Sequence, residues 1–404
     1  MKAVVWHGIG DIRLDDVPEP RLQKPTDAVV RITASAICGT DLHFIRGTMS
    51  GMVPGTILGH EGVGVVEQVG KDVRNFAPGD RVVIPSTVSC GACPQCRMGN
   101  TAQCDVANPN GPAAGTSFYG GPKLSGPFDG LQAEKARIAY AHASLVKLPD
   151  NVSDEQAILL SDIFPTAYFG AELAGVKTGS VVVVLGCGPV GQFAIISAKL
   201  QGATRVIAVD RLPDRLGKAR ENGAETINFE EEDPVKAVLR LTEQTGADCV
   251  IDAVGVDAQH AHHGPARPDA EKKRQFEQEV EKFAPDADPT PDGQWVPGDA
   301  PTQAAEWAIE MVRKAGQIGV IGVYSPDVTS YPLGKAMNKN LTVRMGNCNH
   351  RTIIPKLVDL VAAGVVDPTR IITEHEHMED AISAYEAFDK REPGWLKVEL
   401  QPQA

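Results

Sequence analysis

A chain of 404 residues is longer than one ordinary core needs, so two domains are the first expectation. Its 39 basic and 52 acidic residues leave a net charge of −13, which speaks against nucleic acid and anionic membrane as partners. The sequence holds no uninterrupted apolar run of about 18 residues, so no membrane span is expected. The opening MKAVVWHGIGDIRL lacks the long apolar core of an export signal, and the expected location is the cytoplasm.

Residues 1–154 carry short β-type runs among many glycines and prolines, including AVVRITASAI, VGVVEQVG and RVVIP; they read as an irregular all-β barrel with loops. Two segments here carry metal-binding residue types. CGTDLH (38–43) and GHEGVG (59–64) bring Cys38 and His60, a thiolate and an imidazole. Both suit zinc, and a catalytic zinc takes about three protein ligands and keeps one open position. Further on, Cys90, Cys93, Cys96 and Cys104 crowd into one loop. Four thiolates at this spacing fill a tetrahedral zinc and leave no position for chemistry, so that zinc is structural. Clustering of this kind in a chain without an export signal favours metal over disulfides.

From about residue 155 strand-like runs alternate with helical stretches, the pattern of a doubly wound parallel sheet. VVVVL (181–185) leads into GCGPVG (186–191), which fits G-x-G-x-x-G and opens a helix near Pro189 and Val190. Gly186 permits the tight turn, Gly188 lets a pyrophosphate approach the backbone, and Gly191 allows the helix to pack on the sheet. Asp210 ends the next strand, RVIAVD, where a carboxylate accepts from ribose hydroxyls and repels a 2′-phosphate. NAD is therefore favoured over NADP. Arg211 is either a solvated surface charge or a cation stacked on adenine. DCVIDAV (248–254) and GQIGVIGVY (316–324) are further strands. Between them, residues 256–301 break the alternation with a Pro-, Asp- and His-rich insert, in which EKKRQFEQEVEKF is helical with Phe276, Val280 and Phe283 on one face. The tail from 327 holds helical PKLVDLVAAG and MEDAISAYEAF and the strand-like WLKVEL, and is expected to return to the first domain.

CGTDLH, GHEGVGVVEQVG, the four-cysteine loop and GCGPVG stand in the order seen in the zinc-containing medium-chain alcohol dehydrogenases, which the chain resembles over nearly its whole length. LLSDIFPTAYFG (159–170) and the insert look most like the branch of glutathione-independent formaldehyde dehydrogenases and formaldehyde dismutases. The resemblance implies a GroES-like, β-rich catalytic domain made of residues 1–154 and 327–404, around a Rossmann domain at 155–326. It implies hydride transfer between a small alcohol or aldehyde hydrate and NAD, with one catalytic and one structural zinc. Asp162 falls where most of the family has a second cysteine ligand. Thr40 resembles the hydroxyl that bonds the alcohol, His43 the relay histidine at the ribose, and Asp41 the carboxylate that orients His60. Glu61 resembles a residue that ligates the metal transiently. Thr166, Arg215 and Val323 are expected at the cofactor with the glycine loop. A dimer or tetramer is implied. The insert resembles a lid over the adenosine half of NAD that retains the cofactor between turnovers. Alternatives are a dismutase with retained NAD, and a secondary-alcohol or polyol dehydrogenase, which usually carries Glu where this chain has Asp162. A zinc-free quinone reductase is opposed by Cys38 and His60, and a non-enzymatic nucleotide-binding protein by the full set of site residues.

Overall fold

The computed structural model describes residues 1–402 except 112, 113, 326, 327 and 329. The chain divides into two compact units, one of residues 1–165, 286–296 and 347–404, the other of 166–285 and 297–346. Among the described residues no helix is long and apolar enough to cross a membrane.

The first unit is built on a seven-stranded sheet. In spatial order run Glu374–His377, Val398–Gln401, Ala28–Ile37, Gly62–Val69, Arg81–Ile84 and Val146–Lys147, with Lys135–Ile138 pairing beside Ala28–Arg31. The AVVRITASAI and VGVVEQVG runs thus become antiparallel partners, Val30 opposite Val66 and Ile32 opposite Gly64. A Cβ at Gly64 would lie 2.2 Å from the Arg31 carbonyl oxygen, so only glycine lets the two strands meet there. A second sheet of three strands joins Asp11–Asp16, Lys2–Gly8 and Thr56–Ile57.

The second unit is the expected doubly wound sheet. Its six parallel strands run in the order Glu225–Asn228, Arg205–Asp210, Val181–Leu185, Ala247–Asp252, Val312–Val320 and Thr342–Met345. Val182, Val183 and Val184 have no exposed surface, as a strand covered on both faces requires. Burying each such side chain favours folding by about 1.5–3 kcal/mol. The GCGPVG turn leads into the helix Pro189–Leu200, with proline at its first position, where a missing N–H costs nothing.

The units meet the chain at other places than the composition suggested. The helix Asp154–Ser161 packs on Ala28–Ile37, Gly62–Val69 and Arg81–Ile84, so it belongs with the first unit rather than opening the second at 155. The expected return at 327 falls on Pro326 and Asp327, outside the described residues. Thr342–Met345 still extends the parallel sheet, and the first unit resumes at Asn347. The insert is not one body either. Its helix Ala270–Phe283 is in the second unit, where Phe276 packs on Ala258 and Ala300, the insert's own two ends. Residues 286–296 belong to the first unit: Trp295 is buried beside Phe44 and Phe388, and Asp389 accepts from the Trp295 amide at 2.7 Å. Phe276, one residue of the apolar helix face, is thus covered within the insert itself.

Candidate active site and nucleotide loop

Cys38 ends a buried strand and precedes the helix Gly39–Ile45. Its amide donates to Asp41 Oδ2 at 3.0 Å, which fixes the helix start. The other oxygen of Asp41 lies 3.1 Å from His60 Nδ1. The second ring nitrogen, Nε2, thereby points to Asp162 Oδ2, 3.5 Å away, and Cys38 Sγ lies 3.8 Å from that same oxygen. One ligand atom from each of Cys38, His60, Glu61 and Asp162 lies within 4.8 Å of every other. The structure therefore brings together residues from three separate stretches of the sequence. Asp162 sits between the helices Asp154–Ser161 and Ile163–Leu173, and its carboxylate faces this cluster.

The electrostatics of the cluster ask for a cation. Burial would lower the His60 pKa, but Asp41, Cys38 and Asp162 together raise it well above its ordinary value. Burial opposes charge on Asp162, yet hydrogen bonds from His350 and His60 hold its carboxyl well below the usual range. Burial pushes the Cys38 thiol up. A thiol, an imidazole and carboxylates whose ligand atoms lie this close in a dry site suit a divalent metal that would displace the imidazole proton.

Four residues at the site were not anticipated: Ser86, Thr87, His350 and Lys397. His350 Nε2 lies 2.8 Å from Asp162 Oδ1, and Thr87 Oγ1 lies 3.2 Å from its Nδ1. Ser86 Oγ also donates to Asp162 Oδ1 at 3.0 Å. His350 opens a helix far along the chain, and nothing in its neighbourhood marks it. Lys397 is 1% exposed; its Nζ donates to both Glu61 oxygens, at 2.8 and 2.7 Å, and to the Ile37 carbonyl. Here a signal existed: a single cation inside the apolar run WLKVEL.

Thr40 and His43 stand three residues apart on the helix Gly39–Ile45 and so share a face. His43 is buried rather than at the surface, with Nδ1 2.8 Å from Thr48 Oγ1.

The four cysteines converge as the spacing predicts, all ligand atoms within 4.8 Å. Amides of Ala92 and Cys93 point at Cys90 Sγ, that of Cys96 at Cys93 Sγ, and those of Cys90 and Ala107 at Cys104 Sγ. Burial alone would raise the Cys93 pKa, but the amides of Cys96 and Asp105 bring it to about 7. Donors already aimed at sulfur fit a thiolate-held zinc.

In the second unit Gly186 has φ +85°, and a Cβ at Gly191 would sit 1.9 Å from the Gly186 carbonyl oxygen. A Cβ at Gly188 would meet only Arg215 Nη1, at 3.6 Å, so the loop is open where an anion would approach the helix N-terminus. Pro189 and Val190 form the first helical positions there. Asp210 accepts from the amides of Cys187, Arg211 and Leu212, which fixes its carboxylate beside the turn. The Arg211 guanidinium is engaged by Gln259 Oε1, at 3.0 Å from Nε. The Val323 carbonyl accepts from the Val256 amide, and Thr166 lies half-buried on the helix Ile163–Leu173.

Comparison with known proteins agrees. Residues 24–150 match the alcohol dehydrogenase GroES-like domain, and residues 189–262 the zinc-binding dehydrogenase model. An uncharacterised zinc-type alcohol dehydrogenase-like protein of Bacillus subtilis (strain 168) is 35% identical over 405 residues, covering 100% of both chains. The solved structure of the alcohol dehydrogenase TADH from Thermus sp. ATN1 superimposes with a TM-score of 0.79 at 35% identity, over 99% of each chain. The glutathione-independent formaldehyde dehydrogenase of Pseudomonas aeruginosa (strain LESB58) is 32% identical over 357 residues, 85% of this chain and 80% of that one. Relatives with other names align over more of the chain, so the comparisons set the family and not the formaldehyde branch within it. The chain belongs to the zinc-type medium-chain alcohol dehydrogenase family and is a zinc-dependent oxidoreductase of the alcohol dehydrogenase kind.

Proposed function

We propose that the chain oxidises a small primary alcohol or an aldehyde hydrate with NAD, at a zinc held by Cys38, His60 and Asp162, with formaldehyde hydrate as the first substrate to test. The observation that carries this reading is the buried cluster of one thiol, one imidazole and two carboxylates with mutually close ligand atoms. Lys397 already compensates Glu61, which leaves three ligands and an open position, as a catalytic zinc needs. Zinc, when bound, supplies a Lewis acid that acidifies a substrate hydroxyl.

The chain's own residues do the rest. Asp41 holds the His60 ring with Nε2 turned to the cluster, and His350 with Ser86 holds Asp162. The Thr40 hydroxyl takes the substrate proton, and His43, one helical turn on, passes it outward. Thr48 Oγ1, 2.8 Å from Nδ1, fixes the His43 ring for that role. The open loop at Gly188 receives the pyrophosphate of the cofactor, Asp210 the adenosine ribose, with Arg211, Arg215, Thr166 and Val323 around it. Cys90, Cys93, Cys96 and Cys104 hold the second, structural zinc. With no disulfide among the described residues, the reducing cytoplasm is the fitting compartment. The family resemblance implies a dimer or tetramer, which light scattering reads directly.

The test is turnover of formaldehyde, short primary alcohols, secondary alcohols and polyols, each with NAD, with NADP and without added cofactor. Formate and NADH in equal amounts support the reading. Formate and methanol in equal amounts without added NAD support the dismutase alternative. Oxidation of secondary alcohols or polyols with formaldehyde untouched removes the formaldehyde assignment. Equal use of NADP removes the role given to Asp210.

A further inference from the structure

Where the chain leaves the strand Ala247–Asp252 and enters the insert, His260 and His262 meet Asp299, from the insert's other end. One ligand atom of each lies within 4.8 Å of the others. None of these residues belongs to the catalytic cluster, the cysteine loop or the glycine loop. The backbone fixes them in place. The His260 amide donates to Asp299 Oδ1 at 2.8 Å, and the Ala300 amide to the Ala258 carbonyl at 3.0 Å.

The side chains are less settled than the backbone. His260 Nδ1 lies 2.8 Å from Asp299 Oδ2, close enough for an ion pair. Yet that buried nitrogen has no hydrogen-bond partner among the described residues, because the approach is off the line that a hydrogen bond requires. An imidazole nitrogen and a carboxylate oxygen brought this close, beside a second imidazole, suit a shared cation. The His262 ring stands 5.3 Å from that of His260. Its Nδ1 is 3.1 Å from Glu230 Oε1, which leaves Nε2 for a ligand. Glu230 is itself pinned, accepting from the amides of His262 and His263 at 2.9 and 2.8 Å. A fixed carboxylate behind an imidazole is the arrangement that orients metal-ligating histidines.

We propose that His260, His262 and Asp299 form a third metal site, for a borderline divalent cation such as Zn2+, with Glu230 as the positioning residue behind His262 and water in the remaining position. Two imidazoles and a carboxylate match that class of ion and not Mg2+ or Ca2+, which want oxygen. His262 and Asp299 are 48% and 41% exposed, so the ion exchanges with solvent, unlike one in the dry cluster of the first unit. Closing residues 263–298 into a loop, the ion acts as a clip on the insert. Gln259, next to His260, holds the Arg211 guanidinium, so the clip also steadies the residue that follows Asp210.

The test uses tag-free enzyme loaded with its other zinc and freed of excess metal, titrated with Zn2+ in a calorimeter. Limited proteolysis within 263–298 is followed in parallel. One further Zn2+ per chain, with slower cleavage of the insert, is expected. His262→Ala and Asp299→Asn each abolish both effects while leaving circular dichroism and basal turnover unchanged. Glu230→Gln weakens Zn2+ by about 10–100-fold, and His263→Ala leaves it intact. No further binding, or binding that survives both His262→Ala and Asp299→Asn, overturns the site.

Discussion

Cys38 and His60 stand out in the sequence because their neighbours form motifs, and Asp162 through the family resemblance; the residues that hold them do not, because only the fold brings them near. Asp162 meets His350 across 188 positions, and Glu61 meets Lys397 across 336. No local pattern encodes such a pair. His350→Asn is expected to weaken zinc at the Cys38 site by about 10–100-fold and to lower turnover with it, as loss of a residue behind a ligand does elsewhere. Metal content after dialysis reads this, and the cysteine-loop zinc serves as the internal control. Unchanged zinc retention would show that His350 only fills space. Lys397 makes a different prediction. With Glu61 fully buried, Lys397→Met leaves an acid without its cation and should cost about 3–5 kcal/mol in urea unfolding. Adding Glu61→Gln should restore most of that loss. If the double variant is as unstable as the single one, packing of the lysine stem, and not the ion pair, is what matters.

Elements with a clear period and clear ends were readable: four valines before a glycine turn, a proline at a helix start, four cysteines in one loop. What the pattern misplaced were the borders, at elements whose allegiance is decided by tertiary packing. The helix Asp154–Ser161 looks like the start of the alternating half but lies on the strands of the first. The insert's amphipathic helix packs Phe276 on Ala258 and Ala300, the insert's own ends, a pairing no local pattern shows. The cysteine loop supports a prediction at this scale. Its helix Pro94–Arg97 is one turn long and buries no residue of its own, so the ordering of the loop rests on its sulfurs. Cys93→Ser should release one zinc and lower thermal stability. Cys38→Ser should release the other and remove activity with the melting temperature nearly kept. Metal analysis and calorimetry on both variants read the contrast; a Cys93→Ser protein with full metal content and unchanged melting would sink the structural assignment.

At the scale of the whole molecule, the proposed metal and nucleotide sites fall in different units. The Cys38 cluster and the cysteine loop are in the first unit, and the glycine loop with Asp210 is in the second. Each unit also has its own apolar core, one around Ile84, Val88 and Leu131, the other around Val183, Ile207 and Val250. Ligand binding stabilises the state it binds, by about 2.7 kcal/mol when the ligand stands at 100 times its dissociation constant. Hydrogen exchange resolved along the chain should therefore separate the two ligands. Removing zinc with a chelator should speed exchange at the amides of Cys90, Ala92, Cys93, Cys96 and Ala107, which donate to sulfur. Adding NAD should slow exchange at Cys187, Arg211 and Leu212, whose amides are held by Asp210. Asp210→Ala should abolish the second protection and leave the first effect untouched. NAD protection that persists in Asp210→Ala at unchanged concentration would remove Asp210 from the binding site, while the zinc assignment would stand or fall on the cysteine amides alone.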